Sequence, residues 1–257
     1  MSQPLRVASY NIHKGLSFFN GRMVVHELRD KLASLNADLV FLQEVVGEHA
    51  HHAGRFETWP AKPQYEFLAD RLWTDFAYGK NAVYDHGHHG NAILSRYPIL
   101  RWDNLDISAH AFENRGLLHG EIAVPGFDQP LHAVCLHLAL TEAGRRKQLR
   151  MVSERIRALV PDDAPLIIAG DFNDWRQRAA RYMAHDLHLK EVFEVAQGRP
   201  ARSFPAAFPL FSLDRIYVRG FEVESAHVLH GSLWRRLSDH AALTAQLRPA
   251  RTHRHRS

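Results

Sequence analysis

The stretch RVASYNIHKG, Arg6 to Gly15, begins as a strand and ends in chemistry. Val7, Ala8 and Tyr10 suit a pleated, mostly buried run, and Asn11, His13 and Lys14 follow at once. The break recurs down the chain. LVFLQEV (39–45) ends on Gln43 and Glu44, HAVCLHLAL (132–140) carries His137, and LIIAGDFND (166–174) reaches Asp171 and Asn173. FSLDRIYV (211–218) brings Asp214, and RLSDHAALTAQL (236–247) brings Asp239 and His240. With Asn11, these strand ends supply four acids, three amides and two imidazoles. If the ends converge, the carboxylates crowd into a partly desolvated cleft, where like charges raise one another's pKa. A hard divalent cation relieves that crowding. The donors are oxygens of Asn, Asp and Glu with no cysteine cluster, which favours magnesium or manganese over zinc.

The rest of the sequence frames these ends. Nine short β-type runs start at LRVASY (5–10), ADLVFLQ (37–43), GNAILS (90–95), GLLHGEIAV (116–124), PLHAVCLHL (130–138), PLIIAG (165–170), LDRIYV (213–218), EVESAHVL (222–229) and AALTAQL (241–247). Most are bounded by Gly, Pro, Asn or Asp. Val25, Leu28, Leu32 and Leu35 fall at helical spacing, as do Leu149, Val152, Ile156 and Leu159. Each set gives one apolar stripe, the pattern of a helix laid over a sheet. Strands outnumber helices and their faces alternate irregularly, so two stacked sheets with outer helices are expected. The segments 47–64 and 198–212, rich in His, Gly and Pro, read as long loops of the kind that bind or cover something. Their aromatics Phe56, Trp59, Phe204, Phe208 and Phe211 either anchor those loops in the core or meet a base or acyl chain.

The 257 residues, with 46% hydrophobic side chains, suffice for a core, and one catalytic domain over 1–247 is expected, followed by a basic, disordered tail over 248–257. That tail holds four of the 32 lysines and arginines and no acid, so residues 1–247 carry 28 basic and 28 acidic side chains. A neutral body argues against a broad nucleic-acid footprint, while leaving room for a local basic groove. A single cysteine, Cys135, excludes an intrachain disulfide framework. With no secretory pattern and no apolar run near the ~18 residues of a spanning helix, the chain reads as cytoplasmic, with no transmembrane segment and no obligate protein partner. Two histidine groups, His49, His51, His52 and His86, His88, His89, match no defined zinc spacing.

YNIHKG, LQEV, GNAILSRYP, Arg115-Gly116, HLAL, GDFND, LDRIYV and SDHAAL, in that order over residues 6–247, resemble the endonuclease/exonuclease/phosphatase superfamily. The resemblance implies the deoxyribonuclease I-like fold, an α/β four-layered sandwich of two mainly antiparallel sheets flanked by helices. It also implies magnesium-dependent hydrolysis of a phosphoester, most readily a phosphodiester of nucleic acid or phospholipid. By that resemblance Glu44 anchors the metal, with Asn11 and Asp239 completing or adjoining its shell. Asp171 orients or deprotonates the attacking water, and Asn173, expected on the same face of an extended segment, donates to the phosphoryl group. His240 is the charge-stabilising histidine, Asp214 its carboxylate partner, and His137 a second histidine that contacts phosphate or protonates the leaving group. Asn91 and Arg115 are further substrate-site candidates, Asn91 as a hydrogen-bonding buttress and Arg115 as a fixed cation. Where abasic-site endonucleases of the superfamily bring a tyrosine, this chain has ENRGLLHGE (113–121), which argues against a dedicated repair enzyme. The alternative is a catalytically inactive phosphate-binding module of the same fold.

Overall fold

A computed structural model describes residues 3–17, 21–49, 54–110 and 113–250. The first sheet has the order β11 (Phe221–Val228), β12 (Leu243–Pro249), β1 (Leu5–Asn11), β2 (Leu39–His49), β4 (Gly87–Ser95) and β3 (Asp75–Tyr84). The second runs β5 (Ile99–Asp106), β6 (Gly116–Ile122), β7 (Leu131–His137), β8 (Leu166–Asp171), β10 (Asp214–Arg219) and β9 (Lys190–Glu191). Each sheet is antiparallel except for one central parallel pair, β1/β2 and β7/β8. A parallel pair needs a crossover connection. Helix α1 (Val25–Ser34) lies in the first crossover and helix α3 (Glu142–Leu159) in the second, with α2 (Gln64–Ala69) between them in sequence. Thr141 caps α3 by accepting from the Gly144 N–H at 3.2 Å, which satisfies one of the N–H groups every helix start leaves open.

Helix, sheet, sheet and helix form four layers. Val7, Phe41, Ile93, Cys135, Ala169 and Ile216 share the core between the sheets. Leu28 and Leu32 of α1 bury against Ala8, Val40 and Leu42, while Leu149, Val152 and Ile156 of α3 bury against Val134, Leu136 and Ile168. Side chains alternate strictly along a strand. Leu5 and Val7 therefore face the second sheet, and Ala8 and Tyr10 face the helices.

Three strands not expected from the sequence are β3, β5 and β9, and all three lie at sheet edges. Half-exposed edges do not need the apolar alternation of a covered strand, so β5 reads as ILRWDNLD, with mostly exposed or half-buried side chains. The expected boundary at residue 247 falls inside β12, which runs to Pro249, and Arg248 pairs with Glu224. Residues 251–257, the remainder of the expected tail, lie outside the described residues, as do His51 and His52.

Candidate active site

The alternation that fills the core also delivers the polar groups. Continuing the inward-facing series leads from Val7 to Asn11 on β1, from Phe41 to Gln43 on β2, from Cys135 to His137 on β7 and from Ala169 to Asp171 on β8. Register aligns them, with Asn11 opposite Gln43, His137 opposite Asp171, and Asp171 opposite Asp214 at the start of β10. Both central parallel pairs thus present their polar ends at one place between the sheets.

Glu44 breaks the alternation and reaches the site for a different reason. Leu42 pairs with Ala92 and Val45 with Gly90, so Gln43 and Glu44 together face the single residue Asn91. This is a β-bulge, and Glu44 takes a left-handed φ of 56°. Bulges re-aim a side chain, and here the carboxylate comes to within 3.3 Å of the Asn11 Nδ2. His13 (φ 46°) and Asn173 (φ 49°) are also left-handed, so strained backbone gathers at the cleft, as it does at functional sites.

Asp171 is the hub. Its Oδ2 receives the Asn11 Nδ2 at 3.2 Å and has the His137 Nε2 at 3.4 Å and the His240 Nε2 at 3.7 Å. Its Oδ1 accepts the Asn173 N–H at 2.9 Å. That bond closes a local turn, so Asn173 does not continue an extended segment as the sequence suggested. Its Nδ2 donates instead to the Leu138 carbonyl at 2.9 Å. His240 is gripped from the other side by Asp214, Nδ1 to Oδ2 at 2.8 Å, and the Phe204 ring packs against it at 4.9 Å. Ser203 Oγ accepts the Asp214 N–H, and Ser238 Oγ accepts the His240 N–H while donating to the Asn11 carbonyl. Asp239 receives the Nδ1 of His13 at 3.3 Å.

The charges sort themselves by environment. Burial alone works against a charged His240, but the carboxylates of Asp214, Asp171 and Asp239 outweigh it and hold the pKa up at about 10. Burial, reinforced by Asp214, raises Asp171 to about 7, against the opposing pull of His240. His137 goes the other way: burial first, then the cations Arg115 and His240, push it well below its ordinary value. That lowering favours the neutral imidazole near pH 7. Burial would raise Asp239 too, yet the hydrogen bond from His13 and the nearby imidazoles bring it below the usual carboxylate value.

The groups line a cavity of about 600 Å³. Its polar lining is Glu44, Asp171, Asn173, Asp239, His137 and His240, with Arg115. Among the described residues the buried Arg115 Nε has no partner. Its apolar lining is Leu140, Trp175, Phe204, Phe211 and Leu213. Sequence reasoning missed Trp175, which directly follows the quoted motif GDFND, and Leu140, the last residue of HLAL; it also assigned nothing specific to His13. Asn91 does not line this cavity. It is 1% exposed and its Nδ2 donates to the Gly116 and Cys135 carbonyls of the second sheet, so it ties the sheets together instead of touching substrate. His88 is taken up by the Tyr78 hydroxyl at 2.9 Å, away from the cleft.

Ligand atoms of Asp171, Asp214 and His240 lie within 4.8 Å of one another. In this trio the His240 Nδ1 is hydrogen-bonded to Asp214 and its Nε2 faces Asp171 at 3.7 Å, an ion pair, so the three form a linked relay. The hard oxygen donors suited to a divalent cation are the neighbouring carboxylates of Glu44 and Asp239, both on the cavity wall. The Asn11 side chain turns its Nδ2 to Glu44 and Asp171 and its Oδ1 to the His13 N–H, so it bonds both carboxylates.

The endonuclease/exonuclease/phosphatase family profile matches residues 8–240. The chain belongs to that family. Its members are phosphoester hydrolases, nucleases and phosphatases among them. The uncharacterized protein YbhP of Escherichia coli strain K12 is 49% identical over 242 residues, covering 94% of this chain and 95% of that protein. Among solved structures, an endonuclease/exonuclease/phosphatase from Beutenbergia cavernae superposes with a TM-score of 0.79 at 20% identity, over 97% of this chain and 72% of that one. A mannosyl-6-phosphatase from Bacteroides thetaiotaomicron gives 0.73 at 18% identity, over 95% and 99%. Both structural likenesses carry the four-layered fold, within which the family places different phosphoester chemistries.

Proposed function

We propose that this chain, through a single catalytic domain, hydrolyses a phosphodiester with the help of magnesium or manganese. The observation that carries the reading is the convergence in one cleft of a relay, Asp214–His240–Asp171, with separate oxygen donors, Glu44 and Asp239. A divalent cation held by Glu44 and Asp239, oriented by Asn11, supplies positive charge to the phosphoryl oxygens when bound. Asp171, with a pKa near 7, accepts a proton from the attacking water. His240, kept as imidazolium by Asp214, faces the negative charge that builds on phosphorus-bound oxygen. His137 and Asn173 donate hydrogen bonds around the same centre, and Arg115, on the cavity lining, offers its guanidinium to the substrate anion.

The apolar wall supports a diester over a monoester. A phosphodiester carries a second ester group, and Leu140, Trp175 and Phe211 are exposed by 64%, 46% and 48% beside the catalytic groups, apolar surface on which such a group can rest. The intact relay speaks against an inactive phosphate-binding module. The test is hydrolysis of bis-p-nitrophenyl phosphate against p-nitrophenyl phosphate, with magnesium, with manganese and with excess chelator. Metal-dependent turnover favouring the diester is expected. Full activity in chelator, or cleavage of the monoester alone, would overturn the proposal.

A further inference from the structure

Beyond Trp175 the surface opens into a second cavity of about 750 Å³, between α3 and the segment after Asn173. Arg145, Arg146, Arg178 and Arg181 line it. Trp175 separates the two spaces, lining the catalytic cleft on one side while the Arg145 guanidinium lies 4.7 Å over its ring. The acids of the second cavity are already engaged. Glu142 pairs with Arg176 and Arg178, Asp174 accepts the Ala179 N–H, and Asp186 pairs with Arg157 and His185. Arg146 and Arg181 are exposed and have no ion pair or hydrogen bond among the described residues. Arg145 is only 3% exposed, with Nη1 donating to the Ala139 and Leu140 carbonyls at 3.1 and 2.6 Å. Among the described residues its buried Nη2 has no partner, and an unsatisfied charged donor is costly to keep.

Planar guanidinium groups match phosphate oxygens in geometry as well as charge. We infer that this cavity binds a second phosphate of the same substrate, with Trp175 stacking on the group that joins the two phosphates. The inference rests on the phosphoester reading above and narrows it to substrates with at least two phosphates.

The test compares kcat/KM for p-nitrophenyl thymidine 5′-phosphate with the same ester carrying a second phosphate on the 3′ oxygen, directly or one further nucleoside away. A preference of about tenfold for a two-phosphate ester is expected at low salt, from one charge-assisted contact, shrinking as ionic strength rises. In the Arg146→Ala/Arg181→Ala variant the ratio should fall to about one. No preference in the wild type, or a preference that survives the double substitution, would overturn the subsite. Calorimetry on Asp171→Asn protein reads binding without turnover, using thymidine mono- and bisphosphate, 5′-phosphorylated trithymidylate, and inositol mono- and bisphosphate. Tighter binding of multiply phosphorylated ligands that depends on the two arginines supports the subsite even if no ester is cleaved, and only the hydrolase reading then fails. Equal binding of all of them removes the subsite and leaves that reading standing. A gain confined to the nucleotides shows that the joining group, as well as the second phosphate, is recognised on Trp175.

Discussion

Replacing Asp214 by Asn removes the carboxylate that lies 2.8 Å from the His240 Nδ1 while keeping the side chain's shape. His240 titrates at about 10 in the folded protein against 6.5 ordinarily. The gap amounts to about 5 kcal/mol of preference for the imidazolium at 1.36 kcal/mol per unit. The sign follows from linkage. A raised folded-state pKa contributes stability that is fully present below 6.5 and is lost as pH rises through 10. Between pH 7 and 9 the wild type should therefore lose about 2.5 kcal/mol from this group. In Asp214→Asn, burial is no longer outweighed to the same extent, so the variant should lose much less over that window. Denaturant unfolding of both proteins at pH 7, 8 and 9 gives the difference, and NMR of the His240 imidazole gives its charge directly. Turnover of the aryl diester should fall on the order of 10² to 10⁴-fold at pH 7.5, where the variant's histidine is mostly neutral. An imidazole that titrates near 6.5 in the wild type, or equal losses of stability in the two proteins, would refute the reasoning.

Glu44→Gln should weaken magnesium binding at least tenfold by calorimetry while the far-ultraviolet circular dichroism stays unchanged; wild-type affinity would move the anchor to another oxygen. Gly170→Ala should destabilise by about 2–4 kcal/mol in urea, since its φ is +150° and a Cβ would stand 2.0 Å from the Leu136 carbonyl oxygen; an unchanged midpoint would show that the β7/β8 pair can move apart. Asn91→Ala should cost about 1–3 kcal/mol by removing donors to two buried carbonyls; a loss of activity without any loss of stability would instead return Asn91 to the substrate site.

The chain's own pattern determined a good deal. Apolar runs ending in Asn11, Glu44, His137, Asp171, Asp214 and Asp239–His240 were visible because buried strands concentrate hydrophobic residues and their ends do not. The stripes of α1 and α3 were equally plain, since each covers one sheet face with a 3.6-residue period. Three of the four edge strands, β3, β5 and β9, escaped notice for the converse reason: they are covered on too few sides to impose a period.

Tertiary structure decided the rest. Sequence could show that Asp214 follows a loop and that Asp171 ends a strand, but only the antiparallel pairing of β10 with β8 sets the two side by side. Periodicity would point Glu44 at the helices; the bulge opposite Asn91 turns it into the cleft. It would also extend the chain through Asn173, where a bond from its own N–H to Asp171 bends it instead. Arg145 on α3 lies far enough in sequence from Trp175 and Arg181 that no spacing links it to them, yet the three frame adjoining cavities. Local propensity acts over a few residues, whereas pairing across sheets, bulges and the space between layers depend on contacts between distant parts of the chain. The sequence by itself therefore determined which residues are the candidates for the chemistry, and the folded structure determined which way they face and what they meet.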